Sequence, residues 1–173
     1  MRTYAILDTL IGPLYLVADT GKLAAVHIGE EDFLANENKD ELKEAPCSQP
    51  LQEATRQMEE YFSGARIKFE LPIACLGTDF QLDVWKHLSE IPFGTTRSYQ
   101  EVAEAIGRPK AVRAVGQANK ANKLPIVIPC HRVIGKNRSL TGYAGTRTDI
   151  KDQLLRLEGA NFKVEKKKVG KNV

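Results

Sequence analysis

Short apolar runs separated by polar turn residues open the chain. "TYAILDT", "PLYLVAD" and "KLAAVHIG" are each β-rich and bounded by Gly, Pro or Asp, the pattern of strands joined by tight turns. The period then lengthens. In "PLQEATRQMEEYFSGA", Leu51, Ala54, Met58, Tyr61 and Phe62 recur at helical spacing and Gly64 closes the run, which predicts a helix. The polar, acidic stretch between them, "EEDFLANENKDELKEAPCSQ", predicts a surface loop or irregular helix, and "IKFELPI" predicts one more strand. This half reads as a small α+β domain.

The rest of the chain is patterned mainly for helices. "TDFQLDVWKHLSEI" opens with Thr78 and Gln81 in capping-box spacing, carries Phe80, Val84, Trp85 and Leu88 as its apolar stripe, and stops at Pro92. "SYQEVAEAIG" opens with a second capping box, Ser98 and Glu101, and ends at Gly107. "PKAVRAVGQANKAN" places Pro109 where it suits a first helical turn. Two short helices joined by a tight turn predict a helix-turn-helix. The apolar run "LPIVIPCHRVIG", the turn-rich "KNRSLTGYAG" and a last helix in "TDIKDQLLRLEG" follow. The predicted organisation is an N-terminal α+β domain over 1–75 and a winged-helix-like domain over 76–173, ending in a frayed Lys-rich tail from about 163 to 173.

Charge sharpens this division. The chain has 25 Lys/Arg and 22 Asp/Glu, net +3. Met1–Pro72 holds seven Lys/Arg and 13 Asp/Glu, net −6, whereas Ile73–Val173 holds 18 and nine, net +9. The tail supplies five of those 18 cations. The second half therefore either meets a polyanion or presents a solvated basic surface. No apolar run is long enough to span a bilayer, so no membrane role is expected. The N-terminus is broken by Asp8, Gly12 and Pro13 and does not read as a signal peptide. Cys47, Cys75 and Cys130 are odd in number and widely spaced, which predicts free thiols in a reducing cytosol. No CxxC or HxxxH pair occurs, and no metal site is expected.

Two places could carry chemistry. In "AVRAVGQAN", Ala111, Ala114, Gly116 and Ala118 make a smooth face from which Arg113 stands out. Gly116 costs about 1 kcal/mol of helix propensity relative to Ala. It implies close approach of something, either another helix in a packed core or a nucleic-acid backbone. The second place is "IPCHRVIG". A lone Cys after an apolar run is commonly a small buried hydrophobe. Against this stand Pro129, which a plain core strand would avoid, and the basic His131 and Arg132, which would lower the thiol pKa and give reactivity below pH 8. Glu158 is a candidate acid to orient His131, which could reach the sulfur through a water.

Those residues resemble a family. "IPCHRVIG" is similar to the active-site motif of the O6-alkylguanine-DNA alkyltransferases. The likeness runs through "FQLDVWKHLSEIPFGTTRSYQEVAEAIGRPKAVRAVGQANKANKLPIVIPCHRVIG", "TGYAG" and "LLRLEG", roughly residues 78–159. The resemblance implies direct-reversal DNA repair. In one turnover Cys130 takes the alkyl group from O6-methylguanine, and less well from O4-methylthymine. His131 would activate Cys130, Glu158 would orient His131, Asn122 would brace the active-site loop, and Tyr99 would donate to the departing guanine. Arg113 would enter the duplex where the flipped nucleotide was, with Ala114, Gly116 and Gln117 on the DNA face. Tyr143, Ala144 and Gly145 would line the guanine pocket. The resemblance further implies a monomer, binding to duplex DNA through the minor groove, and no metal or organic cofactor. Relatives that bind lesions without repairing them carry tryptophan at the cysteine position; this chain has Cys130.

Overall fold

A computed structural model describes residues 2–135 and 148–160. Three strands, β1 (Arg2–Thr9), β2 (Gly12–Asp19) and β3 (Lys22–Ile28), form an antiparallel meander. A short fourth strand, β4 (Leu42–Glu44), lies parallel to β1, giving the order β3-β2-β1-β4. The acidic stretch that reads as a loop or irregular helix holds α1 (Glu30–Asn36), one 3-10 turn and β4. Both sheet faces are covered. On one side Tyr4, Tyr15, Val17 and Ala25 pack with Phe33 of α1, and the Tyr15 and Phe33 rings stack at 4.4 Å. On the other, Leu14, Leu16 and Leu23 join Leu51, Ala54 and Met58 of α2 (Leu51–Phe62). Burial on both sides explains why β2 is apolar almost throughout rather than alternating.

"IKFELPI" does not form the predicted strand. It runs alongside β3 with a single bridge, Leu23 to Ile73, in which Leu23 N donates to Pro72 O and Ala74 N donates to Leu23 O. Pro72 has no N–H, so the ladder cannot extend.

The second half is helical, with one two-stranded element. Both predicted capping boxes form, at Thr78–Gln81 for α3 (Asp79–Ser89) and at Ser98–Glu101 for α4 (Tyr99–Ala105). Gly107, at φ +77, ends the α4 turn, where a left-handed residue costs glycine no Cβ strain. The next helix, α5 (Val112–Lys120), begins three residues after Pro109 instead of at it. Ala111 N donates to Arg108 O, so Pro109 occupies a β-turn, for which its fixed φ is equally suited. Trp85 Nε1 donates to Ala118 O at 2.8 Å and ties α3 to α5. The parallel pair of β5 (Arg97–Ser98) with β6 (Val133–Ile134) joins the start of α4 to the chain just after Cys130, and α6 (Thr148–Leu157) closes the domain.

One apolar core runs through both halves, from Leu14 and Met58 to Trp85, Val115 and Leu154. Val26 N in β3 also donates to Lys123 O in the loop after α5. The sheet domain thus contacts the segment that leads to Cys130.

Candidate active site

The loop from α5 to Cys130 is braced by the Asn122 side chain and by its own backbone hydrogen bonds. Asn122 Nδ2 donates to Ile128 O at 2.9 Å, while Asn122 Oδ1 accepts from Leu124 N at 2.9 Å. Cys130 N donates to the same Ile128 carbonyl at 2.7 Å, closing a tight turn around Pro129 at φ −78, ψ 66. Buried Ile126 is held at φ +76. A β-branched residue there costs of order 1–3 kcal/mol, which the surrounding bonds must hold in place.

Cys130, His131 and Arg132 then form one turn of 3-10 helix. At about three residues per turn, successive side chains diverge by roughly 120°. His131 and Arg132 nevertheless converge on one acid. His131 Nε2 lies 2.7 Å from Glu158 Oε2, and Arg132 donates through Nε to Oε1 at 2.8 Å and through Nη2 to Oε2 at 3.0 Å. Tyr61 of α2 donates its hydroxyl to the same Oε2 at 2.6 Å. All four residues are buried. Arg132 Nη1 also donates to Ile91 O at 2.7 Å.

Electrostatics follow from this geometry. Burial opposes ionisation of Glu158, but His131 and Arg132 more than offset it and hold the carboxyl well below the usual range. Burial lowers the pKa of His131 despite the pull of Glu158, so the ring is neutral. A carboxylate can only accept, so the ring proton sits on Nε2 and Nδ1 is the basic nitrogen.

The Cys130 thiol does not behave as its neighbours in sequence suggest. Burial pushes it up to about 11, only partly countered by the Asn122 side chain and by Lys151. The expected depression fails because the two basic residues beside it in sequence bring no net charge to it. Arg132 is neutralised by Glu158, and His131 carries no charge. At rest the group is a protonated thiol, and a thiolate requires proton removal during the reaction.

Lys151 is the cation that the sequence reading overlooks. It is buried in α6, its Nζ donates to Val133 O at 2.5 Å, and it sits 5.9 Å from the Tyr99 ring centroid. Burial lowers its pKa to about 8, opposed by attraction to Cys130. The signal was present: Lys151 falls seven residues before Glu158, on the stripe of Leu154 and Leu155. A lysine on an apolar helical stripe calls for a buried role. Tyr61 was also legible, but only as a core position of α2.

The structure brings Cys130, His131, Glu158 and Asn122 together, with half-buried Tyr99 at the first turn of α4 alongside. On α5, Arg113, Ala114 and Gln117 are exposed, as is Lys120, while Val115, Ala118 and Asn119 face the core. Ala118 therefore does not belong to the smooth outer face. Among the described residues a Cβ at Gly116 would meet nothing within 4 Å, so no described segment accounts for that glycine. Tyr143, Ala144 and Gly145, and the Lys-rich tail, lie outside the described residues. Among the described residues no cluster of His, Cys, Asp and Glu could hold a metal, and no helix is long and apolar enough to cross a membrane.

Comparison with known proteins bears on both halves. Residues 3–75 match the model of the 6-O-methylguanine DNA methyltransferase ribonuclease-like domain, and residues 79–160 that of the 6-O-methylguanine DNA methyltransferase DNA binding domain. The constitutive methylated-DNA–protein-cysteine methyltransferase of Bacillus subtilis is 46% identical over 166 residues, covering 94% of this chain and 99% of the relative. The Methanosarcina acetivorans methylated-DNA–protein-cysteine methyltransferase is 46% identical over 159 residues, covering 91% and 98%. A crystal structure of Mycobacterium tuberculosis OGT in complex with DNA superposes with a TM-score of 0.80 at 41% identity, covering 91% of this chain and 92% of that one.

Proposed function

The chain belongs to the 6-O-methylguanine DNA methyltransferase family, and from that premise we propose how its own residues carry the reaction. It is a DNA-binding alkyltransferase that repairs by direct reversal, moving an alkyl group from DNA to a cysteine of its own. Cys130 is that cysteine. The supporting observation is the buried cluster in which Cys130 adjoins a neutral His131, itself held 2.7 Å from Glu158.

The substrate is O6-alkylguanine in duplex DNA, with O4-methylthymine a poorer one. A monomer approaches through the minor groove with the α4–α5 helix-turn-helix, in the reducing cytosol. Exposed Arg113 fills the space left when the damaged nucleotide flips out, offsetting part of a cost of a few kcal/mol. Ala114, Gly116 and Gln117 allow the close approach. Contact with the flipped base is assigned to Tyr143, Ala144 and Gly145 by the family resemblance alone.

In the chemical step the thiol proton passes through a water to Nδ1 of His131. The resulting imidazolium is stabilised by Glu158, and Lys151 faces the thiolate. The sulfur attacks the alkyl carbon, an S–C bond forms and the C–O6 bond breaks. The departing guanine anion takes a proton from the Tyr99 hydroxyl and leaves as its neutral lactam, and the proton held on His131 returns to Tyr99 through water. Asn122 holds the Ile128 carbonyl and so fixes the turn that presents Cys130. Among the described residues no group near Cys130 could cleave the thioether product, and each molecule acts once. No step draws on a metal or organic cofactor.

Peptide mass spectrometry after mixing with a duplex carrying O6-methylguanine tests this reading. The added methyl should lie on Cys130. Cys130→Ala should abolish transfer and retain DNA binding, because the docking face lies on α5. A methyl group on Cys47 or Cys75 would overturn the assignment.

A further inference from the structure

We propose that Tyr61, a residue of the sheet domain, is part of the catalytic network of the helical domain, its hydroxyl holding Glu158 Oε2 so that this carboxylate orients His131 without charging it. The proposal rests on the role given to Glu158 above.

Tyr61 and Glu158 are 97 residues apart in sequence, yet the hydroxyl lies 2.6 Å from Oε2 in a buried site. Its ring is fixed by Phe62 at 5.2 Å, Phe69 at 5.5 Å and Phe93 at 6.3 Å. Phe93 in turn packs against the Arg132 guanidinium at 5.7 Å. Arg132 already anchors the carboxylate through both oxygens, so Tyr61 is not needed merely to keep Glu158 in place. Its distinct effect falls on Oε2, the oxygen that also receives His131 Nε2.

A donor on that oxygen draws negative charge from it and weakens its pull on the imidazole proton. The groups that act on His131 are Glu158, Arg132 and Lys151; the two cations oppose its protonation and Glu158 favours it. Tyr61 moderates the one that favours it. Burial and the Glu158 charge raise the phenol pKa far above neutrality, so Tyr61 remains a donor throughout the working range. Without it His131 becomes more basic, charges at a higher pH, and can no longer accept the thiol proton there.

The test is the single-turnover rate of methyl transfer from an O6-methylguanine duplex to the full chain, measured against pH. Tyr61→Phe keeps the ring. It should move the acid limb of the profile upward by about one unit, the scale of one hydrogen bond to a charged group, with a tenfold loss on the acid side. The loss should shrink as pH rises past the displaced limb. A fluorotyrosine at position 61 keeps both ring and hydroxyl and is a stronger donor, so it should move the limb downward; it also decides the matter if Tyr61→Phe does not fold. Equal slowing at every pH, or no displacement with either replacement, would overturn the proposal. Glu158→Gln separates the two levels. If that variant leaves the profile unchanged, the role of Glu158 itself is wrong; if it shifts the profile and the Tyr61 replacements do not, only the role of Tyr61 falls.

Discussion

A thiol held near pKa 11 is a nucleophile kept in reserve. Desolvation dominates at Cys130, and the two basic residues that follow it are both committed to Glu158. In free protein, alkylation of Cys130 by iodoacetamide should therefore climb with pH to beyond pH 10, with no plateau below pH 8. Mass analysis of the Cys130 peptide across a pH series reads this directly. Lys151 loses its own charge near pH 8, below the thiol midpoint, so Lys151→Met should leave that midpoint nearly unchanged and lower reactivity only below pH 8, where the facing cation favours the thiolate. A plateau near neutrality in the wild type would mean that the resting site stabilises a thiolate after all.

At the scale of elements, α5 separates stability from function. Its inner residues, Val115, Ala118 and Asn119, serve the core and the Cys130 loop, where Asn119 Nδ2 donates to Cys130 O at 3.3 Å. Its outer face carries Arg113, Gln117 and Lys120 together with two small residues, Ala114 and Gly116. Because a Cβ at Gly116 meets nothing within 4 Å among the described residues, Gly116→Ala should stabilise the fold by up to about 1 kcal/mol, visible as a higher Tm. The same methyl projects toward the proposed DNA face and should weaken duplex binding. Opposite signs in a thermal melt and a binding titration are the expected pair. A loss in both would mean that the glycine serves the fold.

For the whole molecule, the acidic sheet domain and the basic helical domain divide the electrostatic work. Phosphate contacts position a protein on DNA without reading sequence, so duplex affinity should be nearly independent of sequence. It should fall with salt at a slope near −0.9 per phosphate neutralised. Arg113 differs from the other cations if it occupies the vacated base position. Arg113→Ala should slow repair of duplex substrate far more than it weakens binding, and leave the reaction with free O6-benzylguanine at about the wild-type rate, since nothing is flipped from a stack. Equal losses on both substrates would assign Arg113 to the pocket or the fold.

The sequence by itself determined whatever depends on neighbours along the chain. The three opening strands, both capping boxes and the two short helices joined by a turn rest on short-range spacing; the capped helices start where those residues place them, while α5 starts three residues after Pro109. Pro109 shows the limit of local rules, because one fixed φ serves a helix start and a β-turn equally and the neighbouring bonds made the choice. "IKFELPI" shows another: strand-like composition does not supply a partner to pair with. Only the tertiary structure decided the electrostatics of Cys130. Charge acts through space, so adjacency to His131 and Arg132 said nothing of where those side chains point. Burial, the Arg132–Glu158 pair, Lys151 arriving on α6 and Tyr61 arriving from the other domain are long-range facts. They follow from how the elements pack, and no periodicity along the chain encodes them.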